Sequence, residues 1–259
     1  MRGGFFVTKF YLNPDELKEM LKSLNPVFHN MQGLFVYART TPEFVREVLP
    51  YPLEPVDPPT VLFSMQMGKS YNGLSTYVRC RYDELEGDYS IGFVMDSDLA
   101  VIFGRETISE PKKLGKVSFI REGNDMIGSI KRYGVEIVRI EANAVNRAEP
   151  GVMEEAENFH FRYNLKPDAT GIDNCRLIRV HYKNKVHVVE KCTAKVTLQD
   201  TVHDVFGRIP VLGIRTAYYV EFDIVGKGSY LTDELDAERL LPYAFFKHDD
   251  YAWLSRNLK

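Results

Sequence analysis

Two lysines stand side by side, Lys112 and Lys113, behind Pro111 in the stretch VIFGRETISEPKKLGKVSF, residues 101–119, with apolar runs on both sides. A lysine amine is a nucleophile only when neutral, and at the ordinary lysine pKa of about 10.4 only about one in a few thousand is neutral at pH 7. Amine catalysis therefore needs burial or a neighbouring cation to favour the uncharged form. If residues 111–114 are extended, the two side chains leave opposite faces of the chain. The ammonium groups are then too far apart for strong repulsion, and desolvation of Lys112 is the larger effect. Lys113 is expected to reach an acid such as Glu106, and Arg105 and Glu106 to brace the loop as an ion pair. Without further context a PKK tripeptide is an ordinary solvated loop.

The other groups that could do chemistry are weaker. His181 and His187, in HYKNKVHVV, are expected to flank a turn and to be structural. The acids Asp83, Glu84, Glu86 and Asp88 of YDELEGDY lack the ordered spacing of a calcium loop and read as a solvated acidic turn. His29, in FHN, reads as a structural histidine at a strand entry. The chain has no H-E-x-x-H, Walker-type, G-x-S-x-G or G-x-G-x-x-G motif, so neither a metal nor a nucleotide cofactor is expected.

The elements that must position these groups divide along the chain. Asn13, Pro14, Asp15 and Glu16 form a helix start with cap, first-position proline and first-turn acids in agreement. Thr41 and Pro42 repeat it, and Pro50 stops a short helix whose Phe44, Val45, Val48 and Leu49 share a face. From Thr60 to about Thr216 the pattern is alternating and β-branched, with turn residues between runs, which predicts a largely antiparallel sheet able to close into a barrel. The tail from Thr232 reads as a final helix interrupted by Pro242.

At 259 residues and 44% hydrophobic, the chain is expected to form one domain over residues 1–259 with a sizeable core. A net charge of −3 gives no basic footprint for nucleic acid and favours a small-molecule partner. The three cysteines, Cys80, Cys175 and Cys192, are an odd number without C-x-x-C spacing, consistent with free thiols in a reducing, cytoplasmic setting. No run approaches the roughly 20 apolar residues of a membrane helix, so no membrane association is expected.

The string FGRE, four residues, then PKKLG closely resembles the signature of the acetoacetate decarboxylase family, in which the first lysine of the pair forms a Schiff base with a keto acid. Lys112 occupies that position. FHN at 28–30, YARTTPEFVREVLPYPLEP at 37–55, GDYSIGFVMD at 87–96, VHDVFG at 202–207 and the terminal LP…DYAWL region resemble family segments in the family's order. The resemblance implies an α+β fold in which an antiparallel β-barrel encloses an apolar cavity with helices packed outside. It also implies a homo-oligomer, and catalytic roles for Lys112 and Lys113.

Three pocket positions depart from the family. Met31 stands where the decarboxylases carry an arginine, and Ser64 and Arg79 stand where they carry glutamates. As substrate-binding residues these three would make the pocket less negative, which argues against acetoacetate itself. The leading expectation is a Schiff-base lyase that decarboxylates a larger or less polar β-oxo acid, or a related keto acid. A Schiff-base aldolase, dehydratase or cyclase-like enzyme, with Arg79 holding a retained carboxylate, is the alternative. A binding protein that kept the fold without catalysis is the third. Tyr77, Tyr243 and His29 are the candidate proton donors.

Overall fold

The computed structural model describes residues 10–22, 27–168 and 170–244. The N-terminal MRGGFFVTK and the terminal DYAWL lie outside the described residues.

Two helices start where local chemistry dictates. In α1, Pro14–Lys22, the Asn13 side-chain oxygen accepts from the amides of Asp15 and Glu16 at 3.0 and 2.8 Å. The Glu16 carboxylate in turn accepts from the Asn13 amide at 3.2 Å, a reciprocal cap. In α2, Pro42–Val48, Thr41 Oγ1 accepts from the Phe44 amide at 3.2 Å, and Val45 is buried inward.

The remainder is mostly strand. In chain order the strands are β1 Val27–Arg39, β2 Glu54–Pro55, β3 Thr60–Met67, β4 Asn72–Tyr82, β5 Leu85–Met95, β6 Lys112–Leu114 and β7 Lys116–Glu122. They continue with β8 Asp125–Arg132, β9 Val135–Arg147, β10 Glu155–Leu165, β11 Ile172–Leu198 and β12 Gly213–Tyr230. Hydrogen-bonded neighbours run β10-β5-β4-β3-β1-β12-β11, and β11 pairs again with β10, so the pairings return on themselves. All are antiparallel except the short β10–β5 and β5–β6 contacts. The far end of the 27-residue β11 leaves this circuit to pair with β9, which carries β8 and β7.

β3 is buried along nearly its whole length. Phe63 and Met65 point into the core beneath β8 and β9, whereas Leu62 and Ser64 point to the opposite side, where Phe35, Tyr77, Phe93 and Phe222 cluster. A strand covered on both faces reads as a continuous apolar run, as TVLFSMQM largely does.

Two local expectations are corrected. A helix, α3, Asp98–Thr107, interrupts the stretch read as all strand; Ser97 Oγ caps it by accepting from the Ala100 amide at 3.3 Å. Its apolar run LAVIF has no helical periodicity strong enough to outweigh a buried-strand reading. The expected turn between His181 and His187 is absent, because β11 continues through them with only a register irregularity at Val186–Val188. The C-terminal helix is one turn, α4 Ala237–Leu240, followed by a 3₁₀ turn containing Pro242. Among the described residues no helix is long and apolar enough to cross a membrane.

Candidate active site

α3 delivers the chain into a tight connection, and β6 then lies parallel to β5 with Lys112 opposite Phe93. The connection is held by its own backbone: the Ile108 and Glu110 amides both donate to the Gly104 carbonyl, and the Lys112 amide donates to the Glu110 carbonyl at 2.8 Å. Ser109 adopts a left-handed φ of 58° to make the reversal. The Arg105 guanidinium donates to the Lys112 carbonyl at 3.4 Å, bracing the strand start. Arg105 therefore does not use Glu106, which is exposed.

Lys112 and Lys113 separate as alternation demands. Lys113 is buried on the far side, 3.2 Å from an Asp204 carboxylate oxygen, rather than on Glu106. Arg132 Nε approaches the other Asp204 oxygen at 2.8 Å, so one buried acid holds two cations. That acid is supplied by the VHDVFG segment.

Lys112 lines a cavity of about 850 Å³. It is 8% exposed, and its Nζ lies 2.7 Å from Glu110 Oε2, a residue only 3% exposed. The ammonium also sits 5.1 Å from the Phe93 ring centroid and 5.9 Å from that of Tyr71. Gly104 is the floor on which the pair rests. A Cβ there would meet Glu110 Oε2 at 2.4 Å and both Lys112 Cδ and Nζ at 2.6 Å. The glycine of FGRE is thus explained by close approach, since no positive φ is involved.

Polar groups around the lysine form two sets. On one side Tyr71 Oη donates to Gln66 Oε1 at 3.0 Å, and Gln66 Nε2 donates to Ser64 Oγ at 3.1 Å, so Ser64 ends a hydrogen-bonded chain in the cavity wall. On the other, Asn158 Nδ2 donates to Tyr77 Oη at 3.1 Å. Burial, reinforced by the Glu110 charge, raises Tyr71, Tyr77 and Tyr182 well above the ordinary phenol range. All three line the cavity as neutral phenols able to donate.

Asp88 also lines the cavity and is only 6% exposed. Burial pushes its carboxyl up to about 6, against the opposing pull of Arg79. Arg79 lies opposite Asp88 in the β4–β5 ladder and reaches it at 3.5 Å and Glu86 at 3.4 Å. Arg79 is thus engaged by two acids and is not part of the cavity wall. Met31 is likewise outside the wall; it is fully buried, with its sulfur filling the space beside Gly68. Tyr243 lies in a separate small cleft with Tyr89 and His160. His29 is largely exposed, 3.3 Å from Asp223.

The pocket nevertheless carries negative charge. Two buried carboxylates, Glu110 and Asp88, face the cavity from positions other than those of Ser64 and Arg79. Glu110 lies two residues before Lys112, and the tight turn that puts the Lys112 amide on the Glu110 carbonyl brings the two side chains together. Asp88 was concealed by its neighbours: Asp83 and Glu84 form an exposed turn and Glu86 is exposed at the start of β5, whereas Asp88, further along the strand, is buried. Among the described residues no cluster of His, Cys, Asp and Glu could hold a metal ion.

Comparison with known proteins agrees with this frame. The sequence profile of the acetoacetate decarboxylase (ADC) family matches residues 11–245. The acetoacetate decarboxylase of Clostridium beijerinckii is 32% identical over 214 residues, covering 76% of this chain and 84% of its own. The acetoacetate decarboxylase structure from Legionella pneumophila superposes with a TM-score of 0.74 at 19% identity, over 80% of this chain and 88% of that one. MppR, an enduracididine biosynthesis enzyme solved with the condensation product of pyruvate and imidazole 4-carboxaldehyde, superposes with a TM-score of 0.67 at 14% identity, over 80% of this chain and 90% of its own. These last two likenesses concern the fold alone. The fold is acetoacetate decarboxylase-like, dominated by strand with few helices, and the chain belongs to the acetoacetate decarboxylase family.

Proposed function

We propose that the protein is a Schiff-base-forming lyase that decarboxylates a β-oxo acid, or a related keto acid, other than acetoacetate. In this reading the circuit of strand pairings acts as a barrel around a largely apolar substrate chamber. The observation that carries the reading is the buried Lys112–Glu110 pair on the cavity wall. Burying a cation and a carboxylate together is costly in a purely structural role, and well-packed apolar residues usually serve as well.

The chemistry follows from the pair. Glu110 takes a proton from the Lys112 ammonium, and the neutral amine attacks the keto carbon to give a carbinolamine. Glu110 returns that proton to the carbinolamine hydroxyl, which leaves as water and produces the iminium. The bond to the carboxylate then breaks, its electron pair passing into the iminium to give an enamine and carbon dioxide. A neutral phenol, Tyr71, Tyr77 or Tyr182, supplies the proton to the enamine carbon and recovers one from solvent, and water hydrolyses the new iminium to release the ketone and the Lys112 ammonium. The buried carboxylates of Glu110 and Asp88 oppose the reacting carboxylate in the ground state, a repulsion relieved as carbon dioxide departs.

The rival reading, carbon–carbon bond formation or dehydration on a keto acid whose carboxylate is kept, draws support from the condensation product bound to MppR. It relied on Arg79 as the carboxylate anchor. With Arg79 engaged by Glu86 and Asp88 outside the cavity wall, that support is reduced. Borohydride with a panel of β-oxo and 2-oxo acids tests the shared step: native protein should be labelled at Lys112, and Lys112→Arg should not, because arginine stays protonated. Absence of any label would leave the binding-protein reading. Carbon dioxide release from the labelling substrates separates the two enzymatic readings.

A further inference from the structure

The cavity face of β11 is a ladder with chemically distinct ends. Tyr182, Val180 and Ile178 line the cavity in steps of two, and Arg176 is the next residue on that face. Tyr182, at one end of this ladder, shares the cavity wall with Lys112 and Glu110. At the other end Arg176 is register partner to Arg162 of β10, which itself lines the cavity. Cross-strand partners project to the same side, so both side chains leave the sheet on its cavity side, at the rim. Arg162 donates to the Thr107 carbonyl at the end of α3 at 3.2 Å. The Arg176 guanidinium sits 5.3 Å over the ring of Tyr230, another cavity residue, opposite Ile178 in the ladder.

Like charges directly opposite on neighbouring strands are destabilising unless something compensates them. Among the described residues neither arginine forms an ion pair with a carboxylate, although other surface arginines of this chain do, such as Arg179 with Glu157 and Arg81 with Glu54. The Thr107 contact uses one of five guanidinium donors of Arg162, leaving a planar fork for an oxyanion. The acids facing the cavity, Glu110, Asp88 and Glu155, come from other positions along the wall.

We propose that Arg162 and Arg176 form an oxyanion subsite at the cavity rim, and that the substrate is a long oxo acid carrying a second anionic group distant from its keto carbon. Arg162 bonds the Thr107 carbonyl, one helical turn from the Gly104 seat of Lys112, so the rim pair lies on the order of 10–15 Å from the amine, beyond the reach of a keto acid of three or four carbons held on Lys112. Ile178, Val180 and the open surface at Gly228, where an added Cβ would meet only Ile108 at 3.5 Å and the Arg179 carbonyl at 3.9 Å, give the intervening chain an apolar path. The anion at Lys112 is lost as carbon dioxide, and the one at the rim is kept. This substrate class rests on the Schiff-base reading, whereas the subsite itself does not.

The test uses oxo acids of graded length ending in methyl, carboxylate or phosphonate. The native protein should prefer an oxyanion-terminated member over its methyl-terminated match. In Arg176→Gln and Arg162→Gln the ratio of kcat/KM for the oxyanion-terminated over the methyl-terminated acid should fall about 10- to 100-fold, mainly through KM, as for loss of a charge-assisted hydrogen bond. A stronger preference for phosphonate than for carboxylate would identify a phosphorylated ligand. Arg176→Gln is the decisive variant, because Arg176 does not brace α3. Equal losses on all three termini, or no terminal preference in native protein, overturn the proposal. If no oxo acid reacts, the Schiff-base reading fails separately. Calorimetric binding of an unreactive alkanedioate to native and doubly substituted protein then reads the subsite alone, and equal affinities overturn it.

Discussion

Gly104→Ala places one methyl group at the point where α3 touches the Lys112–Glu110 pair. At the native backbone that methyl would lie 2.4 Å from Glu110 Oε2 and 2.6 Å from Lys112 Cδ and Nζ, against an ordinary contact of about 3.5 Å. Both side chains must therefore move by about 1 Å. The atoms displaced are the ends of flexible side chains, and alanine in a helix is favoured over glycine by about 1 kcal/mol. The two effects oppose each other, so the melting temperature should change by only a few degrees. Chemistry should respond differently, because a misplacement of about 1 Å can cost on the order of 100-fold in rate. The assay pairs a thermal melt with the rate of borohydride labelling at Lys112, read by mass spectrometry of the peptide. A folded variant labelled about 100-fold more slowly is the expected result. Labelling at the native rate would refute the reasoning, since the amine would then not need the seat that Gly104 provides.

Asp204→Asn should destabilise the fold by about 3–5 kcal/mol, measured by urea unfolding, because Lys113 and Arg132 would remain buried without their shared carboxylate. Asp88 gives a pH signature. With its carboxyl at about 6 in the fold and 3.8 unfolded, the native state binds the extra proton between those values, so its contribution of about 3 kcal/mol is complete below about pH 4 and lost as pH rises through about 6. Asp88→Asn should remove that segment of the stability–pH curve, and Arg79→Ala should move its upper end to higher pH, since Arg79 pulls the carboxyl down. Arg79→Ala should leave keto-acid affinity within about twofold, because the side chain is outside the cavity wall; a loss worth about 1.5–3 kcal/mol would place it in contact with substrate.

The sequence by itself determined what depends on residues near one another along the chain. The caps of α1 and α2 were legible because Asn13 and Thr41 satisfy amides two or three residues away. The strand-rich middle was legible from alternation, and the lysine pair from a motif confined to FGRE and PKKLG. Opposite facing of Lys112 and Lys113 followed from the strand period alone. The tertiary structure decided everything that depends on register or on distant pairing. Lys113 and Arg132 meet Asp204 from 91 and 72 residues away, and no local pattern marks which acid closes such a contact. Arg79 and Asp88 became partners only once β4 and β5 paired in one register, which turned an apparent surface acid inward and drew the arginine to it. Met31 and Ser64 were equally plausible pocket residues in the sequence. Packing sent the thioether against Gly68 and the hydroxyl into the cavity wall, because a side chain's surroundings are set by the elements folded around it rather than by its neighbours in the chain.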